Sequence, residues 1–265
     1  MISIILILLF VFSVLSVPVC HGVISGLYLY GMKIFPGLFI SFILTNILVR
    51  ILQQKNINNP WILVITGLMT GFPNGAYICS WYNKNNPENR LGDMLAGIIN
   101  IPSPAFLISY VYINILEKCI SLPMFLALTY TPVILCSYMT ILLFRDKDNK
   151  KDNAPHIKND KKLIFHFFEE AVDSSINTAL KLGAYVIIFS VIVNIIMHFS
   201  QSNTAGLLIS YLFEISNGLA IIKNAGIPMN ITVLLTVLLD AFGGVCIIMQ
   251  TKSICSSYIS IKKYI

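Results

Sequence analysis

Two carboxylates stand in otherwise apolar sequence, Glu214 in YLFEISNG and Asp240 in VLLDAFGG. Holding a charge at bilayer depth costs at least ~2.5 kcal/mol even on lenient insertion scales, so such residues are functional or paired. Glu214 and Asn217 have the i, i+3 spacing that puts two side chains on one face of a helix, and they sit beside an Asn217-Gly218 step. That pair suits a polar solute, a proton or a cation. The plainer alternative is that Glu214 caps or braces freed backbone in a neighbouring hairpin. For Asp240 the plainer alternative is a place close to a membrane interface.

The rest of the chain offers no catalytic set. It has no G-x-S-x-G, no Walker-type loop and no paired motif for acyl or phosphoryl transfer. The six cysteines, Cys20, Cys79, Cys119, Cys136, Cys246 and Cys255, form no C-x-x-C pair and read as small hydrophobes. The four histidines, His21, His156, His166 and His198, show no metal-ligand spacing. The expectation is a protein that is not an enzyme and that carries no cofactor and no metal.

The elements that must position Glu214 and Asp240 are apolar and interrupted. A bilayer core about 30 Å thick takes roughly 20 apolar residues of helix. On that ruler, candidate segments lie near 3–19, 35–52, 61–80, 94–116, 121–144, 183–199, 205–222 and 231–250. Pro36 and Gly37 open the second, and Gly71-Phe72-Pro73-Asn74-Gly75 lies inside the third. Asn100-Ile101-Pro102-Ser103-Pro104 cuts the fourth, Asn217-Gly218 the seventh and Gly243-Gly244 the eighth. A broken helix frees backbone N–H and C=O groups that lipid does not satisfy, so each break must face protein or a wet cavity. Several such breaks together point to a binding site built from discontinuous helices, as in secondary transporters.

Composition agrees. Of 265 residues, 56% are apolar and 11% charged, and the mean hydropathy is +0.79; a soluble domain carries about a quarter charged residues. The expected class is an all-α polytopic membrane protein with about 7–8 membrane segments, broken helices and possible re-entrant hairpins among them, in contact with the lipid bilayer. A single membrane domain, 1–265, divides into an N-terminal helix (1–22), a first half (23–144), a polar loop (145–165) and a second half (166–265). Within that loop, residues 145–162 carry seven Lys or Arg beside four Asp, which predicts a cytoplasmic position by the positive-inside rule. The interleaved acids and missing aromatics argue against nucleic acid. Residues 2–17 follow no Lys or Arg and precede no A-x-A site, and Cys20 has Pro-Val before it, so they read as a retained membrane helix.

Small residues and lysines have mostly structural readings. Gly67, Gly71 and Gly75 recur every four residues; this suits close helix packing for Gly67 and a loop or hairpin tip for the other two. Gly22 and Gly26 read as packing. Lys33 and Lys181 precede apolar runs and read as snorkelling side chains. The stretch 162–182, with Glu169, Glu170, Asp173, Asn177 and Lys181 among apolar positions, predicts an amphipathic helix lying on the membrane surface.

The two halves echo one another. Lys33 precedes Asn46 by thirteen residues, and Lys181 precedes Asn194 by thirteen. PNGAYI from Pro73 then answers to SNGLAI from Ser216, and the break at Asn100–Pro104 to that at Gly243-Gly244. This predicts an internal repeat, inverted if one first-half segment is re-entrant and parallel if all four cross.

The runs MKIFPGLFISFILTNIL, TGFPNGAYICSWY and NIPSPAF, with LFEISNG and FGGVCIIMQ in the second half, resemble the YlbJ-like (SpoVV) sporulation integral membrane proteins of the nucleoside-recognition or Gate domain family, over roughly residues 25–255. The resemblance implies a fold akin to concentrative nucleoside transporters, with two helical hairpins and two broken helices meeting at the centre. It implies transport of a small polar or anionic solute, dipicolinate-like or nucleoside-like, with a coupling proton or cation, in a bacterial cell membrane such as a forespore membrane. The site residues it implies are Gly71, Pro73, Asn74, Gly75, Asn100, Ser103, Pro104, Glu214, Asn217, Gly218, Gly243, Gly244 and Gln250. A non-transporting assembly or sporulation factor reusing the fold is the alternative, since fold does not fix function. Whether the chain forms a homo-oligomer stays open.

Overall fold

The computed structural model describes residues 2–54, 59–85, 91–144, 161–200 and 204–255. Most of the expected polar loop, residues 145–160, lies outside them. Every regular element among the described residues is helical. Five helices are long and apolar enough to cross a membrane: Ser16–Ile51, Leu91–Ile115, Leu122–Phe144, Phe168–Phe199 and Met229–Ser253. Outward-facing Ile40, Leu44, Leu135, Leu142, Ile188 and Leu238 are exposed, an apolar coat that suits lipid and not water. The protein is an all-α polytopic membrane protein.

The segment boundaries differ from the expected ones at the start of the chain. Helix α1 (Ile2–Val14) ends at Leu15, and α2 (Ser16–Tyr28) runs through a π-helical turn, Leu29–Ile34, into α3 (Phe35–Gln54). The expected spans 3–19 and 35–52 therefore give way to one long crossing that starts at Ser16. Pro36 brings no N–H to the ladder. The widened turn just upstream, where the Phe35 N–H donates to the Tyr30 carbonyl, makes room for its ring.

Helix α9 (Lys161–Phe199) is one unbroken helix of 39 residues. It lies against α2 and α3, with Gly22 facing Val191, Gly26 facing Ile187, Tyr30 facing Ala179, Asn46 facing Ser175 and Arg50 facing Glu170. The numbers rise along one helix as they fall along the other, so the two run antiparallel. The glycines permit the approach: a Cβ on Gly22 would sit 2.5 Å from the Val191 Cα, and one on Gly26 would sit 2.9 Å from the Ile187 Cα. The separate surface helix expected over 162–182 is thereby corrected. Glu170, Asp173, Asn177 and Lys181 face α3 or a cavity, while Glu169 is exposed, and the helix continues straight into the crossing.

Two expected spans are hairpins. Helix α4 (Pro60–Thr70) starts with Asn59 accepting from the Trp61 N–H and with Pro60 in its first turn, a standard helix start. It turns back at Gly71-Phe72-Pro73, where the Phe72-Pro73 peptide is cis, into α5 (Asn74–Asn85). Helix α10 (Thr204–Phe213) turns back through Glu214 into α11 (Ile215–Asn224). The second break thus falls at Glu214 and not at Asn217-Gly218, both of which are helical.

Each hairpin is followed by a broken helix. Helix α6 (Leu91–Ile99) gives way at Asn100–Ser103 to α7 (Pro104–Phe106), which continues as π-helix to Ile115. Helix α12 (Met229–Phe242) gives way at Gly243, in the left-handed region at φ 75°, to α13 (Gly244–Cys255). Helix α8 (Leu122–Phe144) joins the halves. The order long helix, hairpin, broken helix occurs twice. The hairpins open to opposite ends: the first beside the Arg50 end of α3, the second beside the loop that holds Glu117, which pairs with Lys223.

Candidate functional site

Both hairpin tips meet a helix break. The Phe72 N–H donates to the Ile101 carbonyl at 2.9 Å, and a Cβ on Gly71, at φ 69°, would fall 2.3 Å from the Ser103 nitrogen. At the other tip, a Cβ on Gly244 would lie 3.2 Å from the Leu212 carbonyl and 3.4 Å from that of Phe213. Gly71 is required by close approach of backbone to backbone, and Gly244 by its left-handed φ of 82°.

The first break is held by its own polar groups. The Asn100 Oδ1 accepts from the Ala76 N–H at 3.2 Å, and its Nδ2 donates to the Thr251 Oγ1 at 3.0 Å, so one side chain ties α6 to α5 and α13. The Ser103 Oγ accepts from the Phe106 N–H at 3.3 Å and caps α7, with Pro104 at its first position. Gly75 packs on the same break, where a Cβ would meet the Ile99 carbonyl at 2.8 Å.

At the second tip, the Glu214 Oε2 accepts from the Asn217 N–H at 2.7 Å, capping α11. Glu214 is 1% exposed, so this carboxylate braces the hairpin, as the plainer reading of the sequence allows. The Asn217 side chain reaches α9, its Nδ2 donating to the Ser190 Oγ at 2.9 Å. The halves are joined here by the Tyr110 hydroxyl, which donates to the Ser216 carbonyl at 3.0 Å. Gly218 sits where a Cβ would meet the Tyr211 carbonyl at 2.8 Å.

Three spaces follow one another along α9. Between the tips lies a central space lined by Phe72, Phe106, Leu182, Val186, Glu214 and Gln250 among others, with a cavity volume of about 10 Å³, the room of a single water. On the Arg50 side, a cavity of about 470 Å³ is lined by Asn46, Asn74 and Tyr77 from the first half and by α9 residues from Glu170 to Lys181. On the Lys223 side, one of about 410 Å³ is lined by Asn194, Asn217 and Ala220, with Met197 and Asn224. Lys181 and Asn194 are about 20 Å apart along the axis at 1.5 Å per residue. A polar-lined cavity and a mainly apolar one that carries three asparagines thus flank a closed centre.

Against known proteins, no family model, no curated protein and no solved structure matches this chain.

The residues implied by the sequence are brought to the tips and breaks but not into one cavity. Glu214 and Gln250 line the central space, Asn74 the Arg50-side cavity and Asn217 the Lys223-side cavity, while Asn100 and Ser103 are buried in bonds to protein. Gly71, Pro73, Gly75, Gly218, Gly243 and Gly244 shape the tips and breaks. Of these implied residues, Asn74 and Gln250 retain buried unpartnered atoms, the Asn74 Nδ2 and the Gln250 Oε1. Asp240 is 1% exposed inside α12, with both carboxyl oxygens unpartnered, so it faces protein and not headgroups. Sequence reasoning missed Arg50, Asp173, Asn177 and Lys181 as cavity residues; the signal was the four-residue recurrence of Asp173, Asn177 and Lys181 on one side of α9. It also missed Ser190 and Tyr110, which nothing in the sequence marks.

Proposed function

We propose that the chain is a secondary transporter or permease that moves a small polar solute through a centre gated by its two hairpins. One observation carries this reading: two cavities of similar size, lined by matching asparagines of the two halves, approach a closed centre from opposite ends. Asn46 and Asn74 line the first cavity; Asn194 and Asn217 line the second. In this reading the halves are an inverted repeat, because the long helices α2–α3 and α9 run antiparallel and the hairpins open oppositely. Discontinuous helices at a repeat interface are the recurrent construction of secondary transporters, with rocking of one unit against another giving alternating access. The YlbJ-like, Gate domain resemblance and the likeness to concentrative nucleoside transporters point the same way. The Arg50 end is assigned to the cytoplasm, because the basic stretch 145–160 joins α8 to α9 there.

The second reading, a non-transporting membrane assembly or sporulation factor, draws on one specific observation. The centre has room for a single water, and Glu214, Asn100 and Ser103 are all engaged in bonds that hold backbone. Flux into proteoliposomes separates the two, with dipicolinate, a nucleoside, a small dicarboxylate and glutamine as solutes. The transporter reading expects saturable flux of at least one; a correctly inserted, thermally cooperative protein that moves none overturns it.

A further inference from the structure

The Arg50-side cavity holds two charges of each sign. Arg50 and Glu170 neutralise each other across α3 and α9. Lys181 and Asp173 remain, and neither has an ion-pair partner among the described residues. They stand two i, i+4 steps apart on α9 with Asn177 between them, about 12 Å along the axis. That exceeds the one-turn reach at which helical ion pairs form, so the two charges stay apart in the same cavity.

The ends of the cavity differ in chemistry. Lys181 adjoins Leu182 and the closed centre, and Asn74 sits at the first hairpin tip. Asn74 is 4% exposed, and its Nδ2 has no hydrogen-bond partner. A buried amide N–H without a partner carries a desolvation penalty. The inner end therefore presents the Lys181 ammonium, with the unpartnered Asn74 amide buried in the wall beside it, and the outer end presents the carboxylate of Asp173 beyond Asn177. A dianion meets Asp173 at the outer end, and a dication meets Lys181 at the inner end. A molecule carrying one charge of each sign satisfies both.

We propose that this cavity binds a small zwitterion of amino-carboxylate chemistry, its carboxylate on the Lys181 ammonium at the Asn74 end and its ammonium group toward Asp173. The proposal rests on the transporter reading only for what happens after binding; the site itself is separable. In a carrier, it makes the solute enter or leave carboxylate-first relative to the centre.

The test uses the full chain in lipid nanodiscs, with binding of glutamine, glutarate and cadaverine measured by calorimetry and flux of the same three measured in proteoliposomes. Glutamine is expected to bind and the two others to bind at least about tenfold more weakly, the scale of one charge-assisted contact. Lys181→Gln should weaken glutamine and strengthen cadaverine; Asp173→Asn should weaken glutamine and strengthen glutarate. These opposite shifts do not arise from misfolding. Glutarate or cadaverine binding more tightly than glutamine, or both variants changing all three probes alike, overturns the zwitterion site. Glutamine binding in the expected pattern without flux keeps the site and overturns the transporter reading. Flux of glutarate without glutamine binding does the reverse.

Discussion

The Asn217 side-chain amide donates to the Ser190 Oγ at 2.9 Å, whereas the amide of Asn74, at the matching Asn-Gly step of the other hairpin, donates to nothing. Under the Lys33-to-Lys181 correspondence, Ser190 answers to Phe42, a buried hydrocarbon ring with no acceptor to offer. One hairpin is therefore latched to its long helix and the other is not. Removing the latch with Ser190→Ala should lose about 1 kcal/mol of docking, or about a fivefold change in the docked population. Amide hydrogen exchange over 215–224 should accelerate, with 74–85 unaffected.

Glu214 separates a structural role from a transport role. Glu214→Gln keeps an oxygen to accept the Asn217 N–H, so abundance and melting temperature should hold while transport is lost. Glu214→Ala leaves that N–H without its acceptor and should destabilise by about 1–3 kcal/mol. Unaltered flux in Glu214→Gln removes the carboxylate from the mechanism and leaves it as a cap.

Gly71 tests the meeting of tip and break. Gly71→Ala places a Cβ 2.3 Å from the Ser103 nitrogen at φ 69°, so about 1–3 kcal/mol of strain is expected. Gly31→Ala, with nothing within 4 Å, is the control and should leave the thermal midpoint in detergent unchanged or raised.

The Lys223–Glu117 contact gives a pH dependence outside the spanning helices. The Lys223 ammonium, donating to Glu117 at 2.7 Å, holds that carboxyl below its ordinary value of 4.5. A group whose folded-state value is lowered adds stability above the unfolded value and loses it as pH falls through the folded one. The melting-temperature gap between the native protein and Glu117→Gln should be constant from neutral pH down to about 5 and should close only below 4.5. It should be small, because both groups are exposed and screened.

Much of the architecture was legible where a residue dictates its own backbone. Pro102, Pro104 and Gly243 mark their breaks because Pro lacks an N–H and Gly reaches positive φ without penalty. Glu214 marks none, being an ordinary helix former, so the second tip was read at Asn217-Gly218. Apolar length does not say whether a chain turns back, so 61–80 and 205–222 read equally as crossings or as re-entrant hairpins, and only the tip residues Gly71 and Gly75 favour a turn in the first. The polar side of α9 looked like a surface helix, because amphipathicity is the same whether the polar side meets headgroups or a walled cavity. Only the antiparallel neighbour α3, with Arg50 and Asn46 opposite Glu170 and Ser175, decides between them.

Two-sided accessibility tests the central claim most directly. In a cysteine-free background, Tyr77→Cys reports the Arg50-side cavity and Ala220→Cys the Lys223-side cavity, each labelled by a membrane-impermeant thiol reagent in oriented vesicles. Tyr77→Cys should label only from the cytoplasmic face and Ala220→Cys only from the opposite face, with a transported solute raising one rate while lowering the other. Labelling of both from the same face, or rates that never move in opposite directions under any solute, would contradict the account.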